Sequence, residues 1–200
     1  MRQMPIIVAH YTVHTGYQDE VQNLIRSLMS LGLEFDVVPI KSLGSWRANS
    51  NYSVQLIEDM LEKYPGRAVL KTDADAVFRR VPDLFTKDDF DYDFACVWHS
   101  FRYKKNELLG GTLYFANTEP AKELIRLWKT KCIAAPRARN PELLDKAVKE
   151  MGNRLRVRNL PPRYCKIFDI MRNIKNPVTE HYQASRRFKK TIDADGRRRT

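Results

Sequence analysis

The segment Ala68–Phe78 reads AVLKTDADAVF, an apolar run that passes through Lys71 and Thr72 into Asp73-Ala74-Asp75 and returns to apolar residues. This pattern fits a buried strand ending in two carboxylates one residue apart. Alternate residues of a strand face the same way, so Asp73 and Asp75 can address one site at the strand's carboxyl end. Open α/β sheets bind their ligands at that end. Two hard oxygen donors there suit a divalent cation that keeps some waters and takes its other ligands from a diphosphate. A solvated turn or a helix N-cap is the competing reading, because Asp favours both. The same spacing recurs at Asp89/Asp91, Asp91/Asp93 and Asp193/Asp195, but only Asp73/Asp75 closes an apolar strand. Asp193 and Asp195 lie among terminal arginines, where the repeat reads as chance.

The elements that must position this pair follow from hydrophobic periodicity. Ile6-Ile7-Val8-Ala9 predicts a first buried strand, and residues 18–31 a helix with Val21, Leu24, Ile25 and Leu28 inward. Phe35–Ile40 predicts a second strand. Residues 43–46 read as a loop, and residues 53–64 as a helix ended by Pro65-Gly66. The third strand carries the Asp pair. This β-α-β-α-β order argues for a parallel sheet. Beyond it, residues 94–98 and 112–115 read as short strands, 119–131 and 141–151 as helices, and the alternation of Leu155 and Val157 with arginines as a half-exposed strand. The expected fold is α/β: one domain over residues 1–185 with a mixed, parallel-centred sheet flanked by helices. Residues 186–200 are expected to form a basic, mobile tail.

Two hundred residues, 43% of them hydrophobic, suffice for one domain with a core. No apolar run approaches the roughly 18 residues of a membrane span, and the N-terminal apolar segment is too short for a secretory signal. Cys96, Cys132 and Cys165 match no zinc or redox spacing, so they are expected to be reduced, buried thiols in a cytoplasmic protein. Charge is segregated. Residues 1–100 hold 10 Lys and Arg against 14 Asp and Glu; residues 101–200 hold 25 against 10. Such a split favours a polyanionic partner such as nucleic acid, while arginine-rich helix faces on a soluble protein are the plainer explanation.

Several segments in order resemble the small nucleotide-diphospho-sugar glycosyltransferases of GT-A fold, especially compact phage and bacterial ones with a DxD motif. These are an N-terminal strand ending in HYT, the GSWxxN element, DADAVF followed by VPDLF, GGTLYFANT before a helix with LW, and a late EHYQASRRFK. The resemblance covers roughly residues 5–188. It implies a GT-A (Rossmann-like) fold and transfer of a hexosyl or pentosyl group from a nucleotide-diphosphate sugar, a UDP-sugar first among candidates. It implies Mn²⁺ or Mg²⁺ held by Asp73, Asp75 and a late His, here His181; imidazole suits Mn²⁺ better. Tyr11, Thr12 and Tyr17 would cradle the nucleoside, Trp46 and Asn49 match the GSWxxN element, and Gly110 and Gly111 would let backbone approach the donor sugar. Gln183, Ser185 and Arg186 are placed to meet phosphates, with Lys189 a further candidate. Relatives carry a phosphate-contacting Lys a few residues after GSWxxN, where this chain has Asn51-Tyr52-Ser53. Lys71 is also unusual, because relatives mostly place an apolar residue there; it either compensates for that loss or snorkels to the sheet end.

An inverting reaction needs a carboxylate base near the acceptor, and Glu107 and Asp169 are both candidates. The acceptor expected first is a hydroxymethylated pyrimidine in phage DNA, suggested by the basic half. A lipid-linked or surface glycan is the alternative, with the basic face on anionic headgroups. A non-enzymatic nucleic-acid-binding protein is a third reading, though no known binding motif is present.

Overall fold

The computed structural model describes residues 2–188. Its first strand, β1 (Ile6–Thr12), shows the sheet's design: Ile6 and Val8 enter one apolar core, Ile7 and Ala9 the other. Residues buried on both faces are the mark of a central strand covered on two sides. Helix α1 (Tyr17–Ser30) then leads to β2 (Phe35–Ile40), and α2 (Trp46–Lys63) to β3 (Val69–Thr72). Strand β1 pairs in parallel with β2 on one side and β3 on the other, which sets the parallel centre. Short β4 (Ala76–Phe78) follows, then the hairpin β5 (Phe94–Phe101) and β6 (Lys104–Phe115). Helices α3 (Glu119–Ala134) and α4 (Asn140–Met151), short strands β7 (Val157–Asn159), β8 (Lys166–Ile167) and β9 (Thr179–His181), and the one-turn α5 (Ala184–Phe188) complete the described chain.

The main sheet runs β2-β1-β3-β6-β5-β7, with β6 alone antiparallel to its neighbours. A second sheet, β4-β9-β8, lies apart from it. One face of the main sheet buries Val54, Ile57 and Met60 of α2, Ile125 and Trp128 of α3 and Leu144 of α4. The opposite core takes in Val21, Leu24 and Leu28 of α1 and Ala76 and Phe78 of the small sheet. All three cysteines are free and buried.

Four sequence expectations change. Helix α2 begins at Trp46, seven residues before the expected start, because Ser45 caps it by accepting from Ala48 N. Trp46 and Asn49 therefore lie on a helix and not in a loop. Strands β5 and β6 run on well past their expected ends into a hairpin, so Glu107, Gly110 and Gly111 sit inside a strand. The strand near Val157 starts after Leu155, which is buried outside it. Arg186 belongs to α5, whose Phe188 packs edge-on against Tyr17; residues 189–200, with Lys189, Asp193 and Asp195, lie outside the described residues.

Candidate metal and donor site

The turn after β3 brings the two aspartates to the carboxyl end of the parallel strands. Asp73 N donates to Gly111 O at 3.1 Å and Ala76 N to Asp73 O at 3.1 Å, so the carboxylates leave a pinned turn. Opposite Ala76 in the β4–β9 ladder stands His181. The topology thus joins residues more than a hundred positions apart: ligand atoms of Asp73, Asp75 and His181 all lie within 4.8 Å of one another.

The donors differ in how they are held. Asp75 is buried, and its Oδ2 accepts from Ala184 N at 2.7 Å; its Oδ1 is 3.9 Å from His181 Nδ1, an ion-pair contact and not a hydrogen bond. Burial opposes charge on Asp75, but His181, the Ala184 amide and Lys71 outweigh it and hold the carboxyl below its ordinary range. The Asp73 side chain is 46% exposed. His181 is 1% exposed, and its Nε2 lies 3.0 Å from Thr112 Oγ1. Nδ1 has no hydrogen-bond partner, and a cation binding there would take the place of its proton. A ligating histidine fixed through its other nitrogen is the usual second-shell pattern of metal sites. Burial disfavours a charged His181, but Cys165, Asp75 and Asp73 push its pKa up to about 10. Two carboxylates and an unpartnered imidazole nitrogen fit a divalent cation.

Gly111 serves this geometry in an unforeseen way. A Cβ there would meet His181 Cε1 at 2.8 Å, so the missing side chain makes room for the ring. At Gly110 the space is taken by Pro141, whose Cγ would lie 2.8 Å from a Cβ. The two glycines, expected to face the donor sugar, open their Cβ positions to protein side chains. Thr112, the support of His181, escaped the sequence reading; an ordinary strand threonine 69 residues away carries no local signal.

Lys71 is 4% exposed and reaches Asp73 Oδ1 at 2.5 Å and Gly110 O at 3.1 Å, so it does not snorkel to water. His10 lies on the same face of the neighbouring strand; its Nε2 is 2.9 Å from Asn49 O, and Nδ1 has no partner. Burial and Lys71 lower its pKa to about 4, which keeps the ring neutral. Asn49 also accepts from Leu43 N at 2.7 Å, so its side chain closes the turn before α2.

The nucleoside candidates cluster beside these groups. Tyr17 OH accepts from Trp46 Nε1 at 3.1 Å, which ties α1 to α2; burial is the main cause of a Tyr17 pKa near 12. Thr12 is buried at the end of β1, where its carbonyl accepts from Thr15 Oγ1, and Tyr11 is half-buried against the α1 core. A cleft of about 710 Å³ opens beside Asp75, lined by Asp169, Tyr182, Gln183 and Arg186 among others. Gln183 has φ +54°, and Ser185 is half-buried on α5. Asp169 pairs with Arg186 through Oδ2 and keeps Oδ1 buried without a partner. Glu107, the other candidate base, is bound by Lys104 of the hairpin and by Arg139 at the start of α4.

A family model described as nucleotide-diphospho-sugar transferase matches residues 52–188. The chain belongs to this family. It is a nucleotide-sugar-dependent glycosyltransferase, and the non-enzymatic reading falls. No curated protein sequence matches it. Among solved structures, a glycosyltransferase involved in glycosylation of the major capsid of PBCV-1 aligns over 90% of this chain and 93% of its own, with 15% identity and a TM-score of 0.69. GlyE of Streptococcus pneumoniae aligns over 90% of this chain but 55% of its own, at 14% identity and a TM-score of 0.60. The galactosyltransferase LgtC aligns over 88% and 86%, at 10% identity and a TM-score of 0.56. These likenesses establish the GT-A fold of the transferase. Among its described residues no helix is long and apolar enough to cross a membrane.

Proposed function

We propose that the protein transfers a sugar from a nucleoside diphosphate to an acceptor hydroxyl at a divalent-metal site made by Asp73, Asp75 and His181. The observation that carries this is the unpartnered Nδ1 of the 1%-exposed His181, set among two carboxylates at the carboxyl end of β3. A buried polar atom without a partner costs stability, and a ligand supplies the compensation. A cation bound there would neutralise charge growing on the departing diphosphate. Asp75 and His181 are held by Ala184 N and Thr112, so little reorganisation is needed on binding. Mn²⁺ is the ion this mixed nitrogen–oxygen set suits best, with Mg²⁺ the second choice. In this reading Tyr11, Thr12, Tyr17 and Trp46 meet the nucleoside, and Gln183, Ser185 and Arg186 the phosphates. Of the two candidate bases, Asp169 is the better placed, because it shares a cleft with Asp75 and keeps one oxygen unpaired.

The acceptor we favour is a hydroxymethylated pyrimidine in DNA, and charge alone supports it. Many of the cations are already spent within the fold: Arg154, Arg156 and Arg187 pair with Glu123, with Asp91 and Asp93, and with Glu20. Arg102, Lys105 and Arg137 have no acidic partner among the described ion pairs and remain for phosphate. A duplex acceptor would require base flipping. The test is incubation with Mn²⁺, a panel of sugar nucleotides and either hydroxymethylated or plain DNA, with mass analysis of the nucleosides. A hexose or pentose mass added only to the hydroxymethylated base is expected. Sugar-nucleotide hydrolysis with no modified base, and transfer to a lipid-linked or surface glycan, would reject the DNA acceptor while keeping the enzyme.

A further inference from the structure

We infer that Lys71 makes metal binding conditional on the donor: its ammonium occupies Asp73 until a nucleoside diphosphate arrives. The inference rests on the metal-site reading above. Lysine is almost never buried without a partner, and Lys71 is 4% exposed at the centre of the sheet, level with Val8 on β1 and Leu113 on β6. Asp73 is its one ion-pair partner among the described residues, and the Gly110 carbonyl its second acceptor. An ammonium has three donors, so one N–H is left over. Neighbouring His10 offers no negative charge, and its Nδ1 has no partner.

The same carboxylate cannot serve lysine and metal without cost. With metal–oxygen distances of about 2.2 Å, a divalent ion on the other oxygen of Asp73 would stand about 5 Å from Nζ. Like charges this close, one of them a buried ammonium, repel. A diphosphate reverses the balance. Its oxygens supply negative charge to both cations and an acceptor for the spare N–H of Lys71. Metal and diphosphate should therefore favour each other's binding by the same factor, as linkage requires.

The test is Mn²⁺ titration followed by electron paramagnetic resonance, alone and with uridine, guanosine, adenosine or thymidine diphosphate in turn. It is applied to wild type, Lys71→Gln and Lys71→Met, with thermal unfolding to confirm that each is folded. In wild type, at least one diphosphate should raise Mn²⁺ affinity by about 10-fold or more, within the usual range of coupling. Both variants should bind Mn²⁺ alone about 10-fold tighter than wild type and lose most of that gain. Equal Mn²⁺ affinity with and without a diphosphate in wild type would overturn the inference, whatever the variants do. So would unchanged coupling in folded variants. Failure of wild type to bind Mn²⁺ with any of the diphosphates would instead reject the metal site itself.

Discussion

Asp73-Ala74-Asp75 and Asp91-Tyr92-Asp93 have the same spacing in one chain and opposite fates. At the second pair every carboxylate oxygen is engaged, and on Asp93 every lone pair is spent. Asp93 Oδ1 accepts from Thr118 Oγ1 at 2.8 Å and Arg156 Nη2 at 3.0 Å, while Oδ2 accepts from Arg156 N at 2.9 Å and Nε at 3.1 Å. Asp91 pairs with Arg2 and Arg156. The result is a clamp that ties the start of β5 to the segment before β7. At the first pair the carboxylates keep open coordination and face a histidine nitrogen with no partner. Spacing does not separate a binding site from a clamp; unspent hydrogen-bonding capacity does.

The contrast breaks most sharply by exchanging charge for shape at each pair. Asp75→Asn keeps the size of the side chain and removes a ligand charge. Sugar transfer should fall by about 1,000-fold or more, the scale seen when a group that stabilises transition-state charge is lost. The rate is taken per folded molecule, because the buried Asp75 carboxylate also holds Ala184 N, and a rate within 10-fold of wild type would contradict the comparison. Asp93→Asn should act on stability alone. Truncating one member of a buried charged network costs about 3 kcal/mol, somewhat reduced here because Arg156 is half-exposed. Urea unfolding should show this loss, while the rate per folded molecule stays unchanged.

A subtler probe sharpens the metal side. Gly111→Ala would push a methyl group against the His181 ring. Mn²⁺ affinity measured calorimetrically with saturating nucleotide should drop about 10- to 100-fold, as for other disturbed supports of a ligating histidine. An unchanged affinity would mean that the ring's position does not matter.

The smallest effect concerns pH. Burial opposes charge on Asp93, but Arg156 and Thr118 outweigh it, so the folded pKa lies below the unfolded one. The stabilisation is complete above the unfolded carboxylate value of about 4 and is lost as pH falls through the lower folded pKa. Unfolding free energy measured from pH 6 down to pH 2 should therefore decline less steeply in Asp93→Asn than in wild type. Parallel curves would show that Asp93 does not contribute to acid sensitivity.

These two pairs also show what was legible in the sequence. The parallel centre was, because Ile6–Ala9, Phe35–Ile40 and Val69–Leu70 alternate with amphipathic helices and burial follows periodicity. The Asp pair was legible through its place at a strand end, and the late His through the family resemblance. The first two turns of α2 were not: buried residues on α2 begin only at Ser53, and Asn49-Ser50-Asn51 carries low helix propensity. The outer hairpin was missed because residues 102–106 are all exposed, so β5 and β6 have no alternation to reveal them there. Gly110 and Gly111 were recognised as places of close approach, but the approaching groups, Pro141 and His181, are tertiary neighbours that local sequence cannot name. The same holds for Thr112 and for the Arg156 clamp.

The central claim is that Asp73, Asp75 and His181 hold one divalent cation. Its most direct measurement is an anomalous difference map from crystals soaked in Mn²⁺ and a nucleoside diphosphate, collected near the manganese edge. A single strong peak about 2.0–2.4 Å from oxygens of Asp73 and Asp75 and from Nδ1 of His181 is predicted. A map with no peak among these three residues, or with the peak at Asp91 and Asp93, would contradict it.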